Sequence, residues 1–213
     1  MLGLQLSKGL NILDSNIIIH QSRNIVKGTQ QENIEYKKVV KKIDFTTKTI
    51  KTVDGEKYHA ETIITTIPWM EFDEIVGMPE EIRESVGELK FSSIQTEYFS
   101  ENLDTTCQWI YYPDPKLSYH RILVRHNFCP NSRGYWTETN SERIGMEEAN
   151  DNFKYMNQYA YPLNTIKKPE IMKRLLTWSE KEGVIGLGRW GEHQHYNSDV
   201  TVQLAMDLAD KII

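Results

Sequence analysis

The sequence is poor in cysteine and has no excess of basic residues. Cys107 and Cys129 are the two cysteines among 213 residues, too few for a disulfide framework or for a zinc site of their own. Lysine and arginine number 25 against 30 aspartates and glutamates, which gives a net charge of −5. Because proteins that bind nucleic acids carry a basic surface, this balance excludes such a footprint, and no nucleic-acid partner is expected.

Long hydrophobic runs are also lacking. No stretch approaches the roughly 18 apolar residues that a membrane-spanning helix needs, so no membrane span is expected. The first eight residues have neither the basic start nor the apolar run of a signal peptide, and we expect a cytoplasmic protein. Apolar residues make up 39% and charged residues 26%, which predicts a globular chain with a lean core.

The first two-thirds of the chain have the composition of strands. Residues 39–67 are typical of a meander whose tight hairpin is supplied by Asp54-Gly55, and Pro68 ends the last strand. Two short helices are predicted around Trp69–Ile75 and Pro79–Gly87. Residues 88–140 then predict an antiparallel sheet whose strands are Leu89–Phe99, Cys107–Tyr112, His120–Phe128 and Gly134–Thr139.

The last third changes to helical periodicity. A helix is predicted between Pro169 and Gly183, followed by a short strand up to Gly186. The last helix is expected to start near Asp199, capped by Ser198. Its buried side is predicted to carry Val200, Leu204, Leu208 and Ile212. The fold class expected is therefore α+β: a largely antiparallel sheet with a few helices, a β-hairpin or meander, and a C-terminal strand–turn–helix.

One glycine motif, Gly186-Leu-Gly188-Arg-Trp-Gly191, matches the spacing of a dinucleotide fingerprint. A complete fingerprint also needs a helix at the third glycine and a second parallel strand, and neither follows here. The turn could still bind an anion, through backbone N–H groups, the Arg189 guanidinium and the N-terminus of the last helix. Alternatively, Arg189 pairs locally and the glycines only permit a tight turn. The residues alone leave both interpretations open.

The run Gly188-Arg-Trp-Gly-Glu-His-Gln-His-Tyr-Asn-Ser-Asp199 resembles the last FAD-contacting motif of the flavin amine oxidoreductase superfamily. Within that superfamily it is most similar to UDP-galactopyranose mutases and protoporphyrinogen-oxidase-like proteins. His193 stands where the family pattern has Trp, and His195 where it has Tyr. The exit Thr65-Thr-Ile-Pro68 and the run Tyr159-Ala-Tyr-Pro162 are also similar to the family, and the likeness spans about residues 35 to 213.

The resemblance implies FAD as the cofactor and assigns residues to it. The implied FAD contacts are Gly188, Arg189, Trp190, Gly191, Asp199 and Val200. It also implies that residues 1–70 and 181–213 derive from an FAD-binding-type domain, and that residues 71–180 form a sheet like the family's substrate domain. Gly3, Gly9 and Gly28 do not form the family's N-terminal glycine fingerprint. The chain is therefore expected to be the C-terminal portion of such an enzyme, docking to an absent N-terminal dinucleotide-binding unit.

A nucleotide sugar of the UDP-galactose class is the substrate that the resemblance implies. The proposed contacts are Arg121, Tyr111, Tyr161, His195 and Tyr196, with Arg125, Arg133 and Tyr112 as further candidates for one polar pocket. If residues 120–128 form one strand, Arg121 and Arg125 face the same side, which suits a diphosphate but equally a solvated sheet face. No metal ligand set is predicted, and no catalytic residue is assigned.

Three functions remain open on this evidence. The leading one is a flavin-dependent nucleotide-sugar mutase used in making cell-surface polysaccharide or lipopolysaccharide. The second is a flavin oxidoreductase of the amine-oxidase or protoporphyrinogen-oxidase type. The third is a non-catalytic binding module that has lost its flavin. Arginines facing the pocket would favour the first, and an aromatic cage would favour the second.

Overall fold

A computed structural model describes residues 17–18, 34–145 and 152–212 of the chain. The chain divides into two compact units: unit 1 comprises residues 1–89 and 166–213, and unit 2 comprises residues 90–165. The sequence-based boundaries were 70/71 and 180/181, whereas the compact units divide at 89/90 and 165/166. The three glycines of the N-terminal segment that were compared with the family's glycine fingerprint, Gly3, Gly9 and Gly28, lie outside the described residues.

Unit 1 contains short strands in three small sheets, with helices packed on them. Its elements are β1 (Ile17–Ile18), β2 (Ile34–Glu35), β3 (Val40–Asp44), β4 (Thr49–Thr52), β5 (Lys57–His59), β6 (Ile63–Thr65), β7 (Glu74–Val76), α1 (Glu80–Gly87), α3 (Lys168–Lys181), β13 (Val184–Gly186), α4 (Gly188–Gly191) and α5 (Ser198–Ile212). β5, β4, β3 and β7 form a four-stranded sheet in that order. The pairs β1–β2 and β6–β13 are parallel.

The hairpin between β4 and β5 follows the turn chemistry of its sequence. Gly55 adopts φ +92°, a conformation that glycine tolerates and other residues rarely adopt. β6 does not continue this sheet, as a simple meander would. It pairs instead in parallel with β13, with Ile63 opposite Val184, which lies 121 residues later in the sequence.

The core of unit 1 forms between the four-stranded sheet and two helices. Ile43 on β3 and Leu175 on α3 are fully buried, and Ile82 and Val86 of α1 join the same cluster. The helices α1 and α3 belong to unit 1 because their apolar faces bury against this cluster. The sequence had placed both helices with the substrate-domain-like sheet.

Unit 2 is a five-stranded antiparallel sheet. Its elements are β8 (Phe91–Phe99), β9 (Trp109–Tyr111), β10 (Tyr119–Val124), α2 (Arg125–Phe128), β11 (Tyr135–Asn140) and β12 (Lys154–Pro162). The strand order is β12, β8, β11, β10, β9, and every neighbouring pair is antiparallel. The expected fold class, α+β with a largely antiparallel sheet, is confirmed. Among the described residues, no helix is both long enough and apolar enough to cross a bilayer.

Three local predictions are corrected. The segment predicted as a helix over Trp69–Ile75 is a 3-10 turn at its start, after which β7 pairs with β3 because Ile75 is buried in that sheet. The strand predicted over His120–Phe128 ends at Val124, and the chain then makes the helical turn α2.

The third correction concerns the burial of α5. The helix begins at Ser198, one residue before Asp199, so Ser198 is its first residue and not the predicted cap. None of its described side chains is buried, and Val200 and Ile212 are 40% and 52% exposed. The spacing of apolar residues along a helix shows which face is hydrophobic, whereas the burial of that face depends on another element covering it. The described residues leave this face of α5 largely open.

Candidate functional site

The glycine turn lies at the end of the parallel pair β6–β13. The N–H of Ile63 donates to the carbonyl of Gly183, and the N–H of Leu187 donates to the carbonyl of Thr65, both at 2.9 Å. These bonds bring the Thr65-Thr-Ile-Pro68 exit beside the glycine motif. Two motifs that are far apart in the sequence, each singled out by the resemblance, therefore meet at one end of a parallel strand pair.

Glycine is required in the turn by close backbone contacts. A Cβ at Gly191 would overlap the carbonyl oxygen of Thr65, and a Cβ at Gly186 would overlap the carbonyl oxygen of Gly191. The indole Nε1–H of Trp69, which is 1% exposed, donates to that same Gly191 carbonyl at 2.7 Å. The residue after the Pro68 exit thus anchors the glycine turn from inside unit 1.

Arg189 binds its own loop in this structure. Its Nη2 and Nε donate to the carbonyl of Tyr196 at 2.7 and 3.2 Å, which closes the segment that connects α4 to α5. The N–H of Gly188 donates to the carboxylate of Glu192 at 3.2 Å. Burial raises the pKa of Glu192, and this bond from Gly188 opposes the rise. The Glu192 carboxylate therefore already occupies the Gly188 N–H, which is one of the backbone N–H groups that could have bound an anion.

Lys168 fixes the same loop from α3. Its side chain is buried, and Nζ donates to the carbonyl of His193 at 3.2 Å and to Oε1 of Gln194 at 3.0 Å. Burial lowers the pKa of Lys168. His193 is 1% exposed, has φ +49°, and lies edge-on to the Trp190 ring at 5.7 Å. The histidine that replaces the family's tryptophan is thus an interior residue of the loop.

The start of α5 lies beside the glycine turn. Gly188 has φ +74°, and a Cβ there would lie 3.1 Å from Cγ2 of Thr201. The predicted FAD contacts Asp199 and Val200 belong to this first helical turn and are exposed. The structure therefore brings the six predicted FAD residues into one continuous region of unit 1.

The predicted substrate contacts fall into two groups. His195 and Tyr196 lie in unit 1, on the loop between α4 and α5, and burial raises the pKa of Tyr196. Arg121, Tyr111 and Tyr161 lie in unit 2, on β10, β9 and β12. The two groups therefore belong to different units.

Arg121 is the centre of a hydrogen-bonded network in unit 2. Its Nη2 lies 2.5 Å and its Nε 2.8 Å from Oε2 of Glu138. Nη1 donates to the Tyr111 hydroxyl at 3.2 Å and Nη2 to the Tyr161 hydroxyl at 3.3 Å. The guanidinium carbon lies 5.6 Å from the centre of the Tyr111 ring. Arg121 therefore contacts both tyrosines that the sequence grouped with it, and it also pairs with an acid, Glu138, that the sequence did not predict.

The other pocket candidates lie elsewhere in unit 2. Arg125 is the first residue of α2, so the shared strand face predicted for Arg121 and Arg125 is wrong, since β10 ends one residue earlier. The Nε of Arg133 donates to the carbonyl of Ser100 at 3.0 Å. Tyr112 packs edge-on against the Tyr119 ring at 5.2 Å. No cluster of three or more His, Cys, Asp or Glu side chains suited to a metal ion occurs in the described ranges.

The sequence reasoning missed three residues that organise these regions: Trp69, Lys168 and Glu138. No pattern in the sequence singles out Glu138, because its neighbours Thr137 and Thr139 are also polar, and strand pairing alone sets it opposite Arg121. Trp69 directly follows the proline exit, but nothing in the sequence shows that its indole reaches Gly191. Lys168 binds the His193 carbonyl and the Gln194 side chain, 25 and 26 residues away, and no local pattern in the sequence indicates this pairing.

Comparison with known proteins gives matches among solved structures alone, since no protein-family model and no curated protein matches the chain. The crystal structure of reduced UDP-galactopyranose mutase matches 76% of this chain and 43% of that chain, with a TM-score of 0.62 and 16% identity. A CLA-producing fatty acid isomerase from P. acnes matches 83% of this chain and 47% of that chain, with a TM-score of 0.58 and 11% identity.

A third match has a TM-score of 0.50. It is a protoporphyrinogen-oxidase-like protein from Exiguobacterium sp. 255-15, with 12% identity over 77% of this chain and 43% of that chain. The chain thus spans less than half of the length of each of these proteins. All three are members of the flavin amine oxidoreductase superfamily. The resemblance stated from the sequence is therefore confirmed for the fold: this chain has the fold of part of a flavin amine oxidoreductase.

Proposed function

We propose that this chain is the C-terminal portion of an FAD-dependent enzyme of the UDP-galactopyranose mutase type. Such an enzyme converts a nucleotide sugar between ring forms for the synthesis of cell-surface polysaccharide or lipopolysaccharide. The proposal includes the cytoplasmic location expected from the composition. The observation that carries it is the packing of the Thr65–Pro68 exit against the turn Gly188–Gly191 at the end of the β6–β13 pair.

The glycines of the turn allow close backbone packing, because Gly191 lies against the Thr65 carbonyl and Gly188 lies against Thr201 at the start of α5. The N-terminus of α5, beside Gly188, favours an anionic group of the cofactor. Under the proposal, FAD is held by Gly188, Arg189, Trp190, Gly191, Asp199 and Val200. When bound, FAD supplies an electron-rich centre that can react with the anomeric carbon of a sugar.

The loop after the turn prepares this site. Arg189 and Lys168 each donate to a backbone carbonyl of that loop, so the loop keeps its shape without a ligand. The Gly188 N–H would become available to an anionic group of the cofactor if the Glu192 side chain rotated away from it. The chain's own contribution is therefore to orient the cofactor and to balance its charge.

The rest of the flavin site is assigned to a partner unit. Parallel strands occur almost exclusively in sheets covered by helices on both faces, yet β6–β13 has two strands among the described residues. α5 presents an apolar face that these residues leave open. We propose that a dinucleotide-binding unit of parallel strands and helices docks here and supplies the contacts to the adenosine half of FAD.

Flavin absorption of the purified chain tests the proposal. The chain alone, mixed with FAD and desalted, is expected to retain little flavin. The same chain, fused behind the N-terminal dinucleotide-binding unit of a UDP-galactopyranose mutase, is expected to retain the yellow flavin spectrum. With UDP-galactose under reducing conditions, the fusion is expected to form the furanose sugar.

A matched variant separates this chain's contribution from that of the added unit. Gly188→Val in the fusion is expected to abolish flavin retention, whereas Gly87→Ala on α1, with open space around it, is expected to leave it unchanged. Flavin retention equal in both variants would contradict the proposed site. Flavin bound without action on UDP-galactose, but with oxidation of an amine or a porphyrinogen, would favour the second candidate function.

A further inference from the structure

The sheet face of unit 2 that carries Arg121 also carries two exposed aromatic side chains. Arg121 is opposite Tyr111, and Leu123 is opposite Trp109, in the register of β10 and β9. Because side chains alternate along a strand, Trp109 and Tyr111 point to the face of the sheet that holds Arg121. On the other strand that neighbours β10, which is β11, Glu138 is opposite Arg121. We call Trp109, Tyr111, Arg121 and Glu138 the mixed face.

The cationic charge of the mixed face is already compensated. The Arg121 and Glu138 side chains are 20% and 10% exposed, and two nitrogens of the guanidinium reach one carboxylate oxygen. A diphosphate placed on Arg121 would approach this buried carboxylate, and displacing Glu138 would leave its charge unpaired at a cost of several kcal/mol. The neutralised arginine therefore disfavours the diphosphate that the sequence assigned to it.

His120, the residue before Arg121, supplies no second positive charge to pair with Glu138. His120 Nε2 lies 3.9 Å from the same Glu138 oxygen. Burial lowers the pKa of His120, with smaller effects in the same direction from Arg121 and Arg143, while Glu138 opposes them. A lowered pKa keeps the imidazole neutral at physiological pH.

The aromatic side chains offer flat apolar surface to solvent. Trp109 is 53% exposed, Tyr111 is 60% exposed, and the Phe128 ring, 46% exposed, lies 5.8 Å from that of Trp109. The faces of aromatic rings carry negative charge density, which attracts the C–H groups on one side of a sugar ring. The hydroxyls of Tyr111 and Tyr161, held by Arg121, can exchange hydrogen bonds with sugar hydroxyls.

We infer that the mixed face binds an uncharged sugar ring, stacked on Trp109 and Tyr111, and does not bind a diphosphate. The inference deepens the proposed function and rests on it for the biological source of the sugar, which is the sugar portion of the substrate or of a growing polysaccharide. Its chemistry, aromatic faces beside neutral hydroxyl donors and acceptors, is independent of the flavin. The base of a nucleotide also stacks on such rings, but the phosphates of the nucleotide would bring negative charge toward Glu138.

The experiment screens the full chain, without flavin, against an array of neutral oligosaccharides that includes galactose oligomers. The affinity of the best one is then measured by titration, with inorganic pyrophosphate and UDP as the charged probes. We expect saturable oligosaccharide binding and no measurable pyrophosphate binding. Trp109→Ala is expected to weaken oligosaccharide binding at least tenfold, and Trp109→Phe, which keeps an aromatic face, to restore most of it.

The matched control is Tyr155→Ala on β12, the opposite edge strand of the same sheet. Tyr155 is 53% exposed, as is Trp109, and its removal is expected to leave oligosaccharide affinity unchanged. Glu138→Gln, which removes the carboxylate charge and keeps its shape, is expected to create measurable pyrophosphate binding. Circular dichroism of each variant checks that the chain remains folded.

Four outcomes would overturn the inference: no oligosaccharide retained on the array, equal affinity in the wild type and Trp109→Ala, tight pyrophosphate or UDP binding by the wild type, or a concentration-dependent dimer abolished by Trp109→Ala. The last would assign the aromatic face to a second copy of the chain. Because flavin is absent from these assays, oligosaccharide binding by the chain together with failed flavin retention by the fusion protein would leave the inference standing and reject the proposed function.

Discussion

The Arg121 guanidinium and the Glu138 carboxylate form a largely buried pair on adjacent strands, with Nη2 of Arg121 2.5 Å from Oε2 of Glu138. The antiparallel register of β10 and β11 sets these residues directly opposite each other. Their burial limits screening by solvent, so each charge depends on the other. The pair also holds the hydroxyls of Tyr111 and Tyr161 through the remaining guanidinium donors.

Removing one partner of this pair should destabilise the protein more than removing both. Glu138→Leu alone leaves a guanidinium without its counter-charge and Arg121→Met alone leaves a carboxylate without its own, whereas the two substitutions combined replace both charges by apolar groups. We expect a coupling free energy of roughly 0.5–3 kcal/mol from the double-mutant cycle. Urea unfolding of the four proteins measures it. The exposed pair Lys167–Glu88, at 2.6 Å, serves as a control and is expected to show additive effects. Additivity at Arg121–Glu138 as well would contradict the prediction.

Gly191→Ala should destabilise the glycine turn by about 1–3 kcal/mol, because its Cβ would overlap the Thr65 carbonyl oxygen and force the backbones apart. Thermal unfolding by circular dichroism measures the change. Gly87→Ala is the matched control: its Cβ meets no atom within 4 Å, and it is expected to be neutral or slightly stabilising. An unchanged melting temperature in Gly191→Ala would show that the close approach does not hold.

Glu192→Gln should stabilise the protein at neutral pH but not at low pH. Burial raises the pKa of Glu192 in the folded state above its ordinary value of 4.5. In the pH range between these two values the folded state binds more protons than the unfolded state, so stability falls as pH rises through that range. Because the glutamine side chain does not titrate, the Glu192→Gln variant does not lose stability in this way as the pH rises.

Melting temperatures at pH 7 and pH 4 test this dependence. We expect Glu192→Gln to melt higher than the wild type at pH 7 and at the same temperature at pH 4. Glu84→Gln, on the exposed side of α1, is expected to change neither value. Equal gains at both pH values would refute the titration and point to packing.

Leu175→Ala should remove about 2–5 kcal/mol from the free energy of unfolding, because Leu175 is fully buried in the core of unit 1 and its loss leaves a cavity. Denaturant titration followed by tryptophan fluorescence measures the loss. Leu163→Ala, at a leucine that is 43% exposed in unit 2, is expected to cost far less. A small effect at Leu175 would mean that the core of unit 1 relaxes around the gap.

Local chemistry made several elements predictable. Asp54-Gly55 specified a hairpin because glycine accepts a positive φ, and Gly55 has φ +92°. Pro79 specified the start of α1, since its ring favours the first helical turn and disfavours the interior. The glycine motif specified close backbone approach, which Gly186 and Gly191 make. Each of these depends on the conformational preferences of a few adjacent residues.

Other features depend on partners far along the chain. The segment after Trp69 became strand β7 because β3 offered it a sheet edge, and β6 joined β13 across 121 residues. The spacing of α5 correctly marks an apolar face, but no periodicity states whether another element covers it. The α5 prediction therefore failed for burial and succeeded for the helix itself.

The sequence by itself determined the α+β class and the glycine turn between a strand and the last helix. These follow from short-range preferences and from the order of motifs along the chain. Tertiary structure alone decided that Glu138 neutralises Arg121 and that Trp69 anchors Gly191. The physical reason is that a charge or a hydrogen bond acts over a few ångströms in space, and strand pairing sets which distant residues come that close.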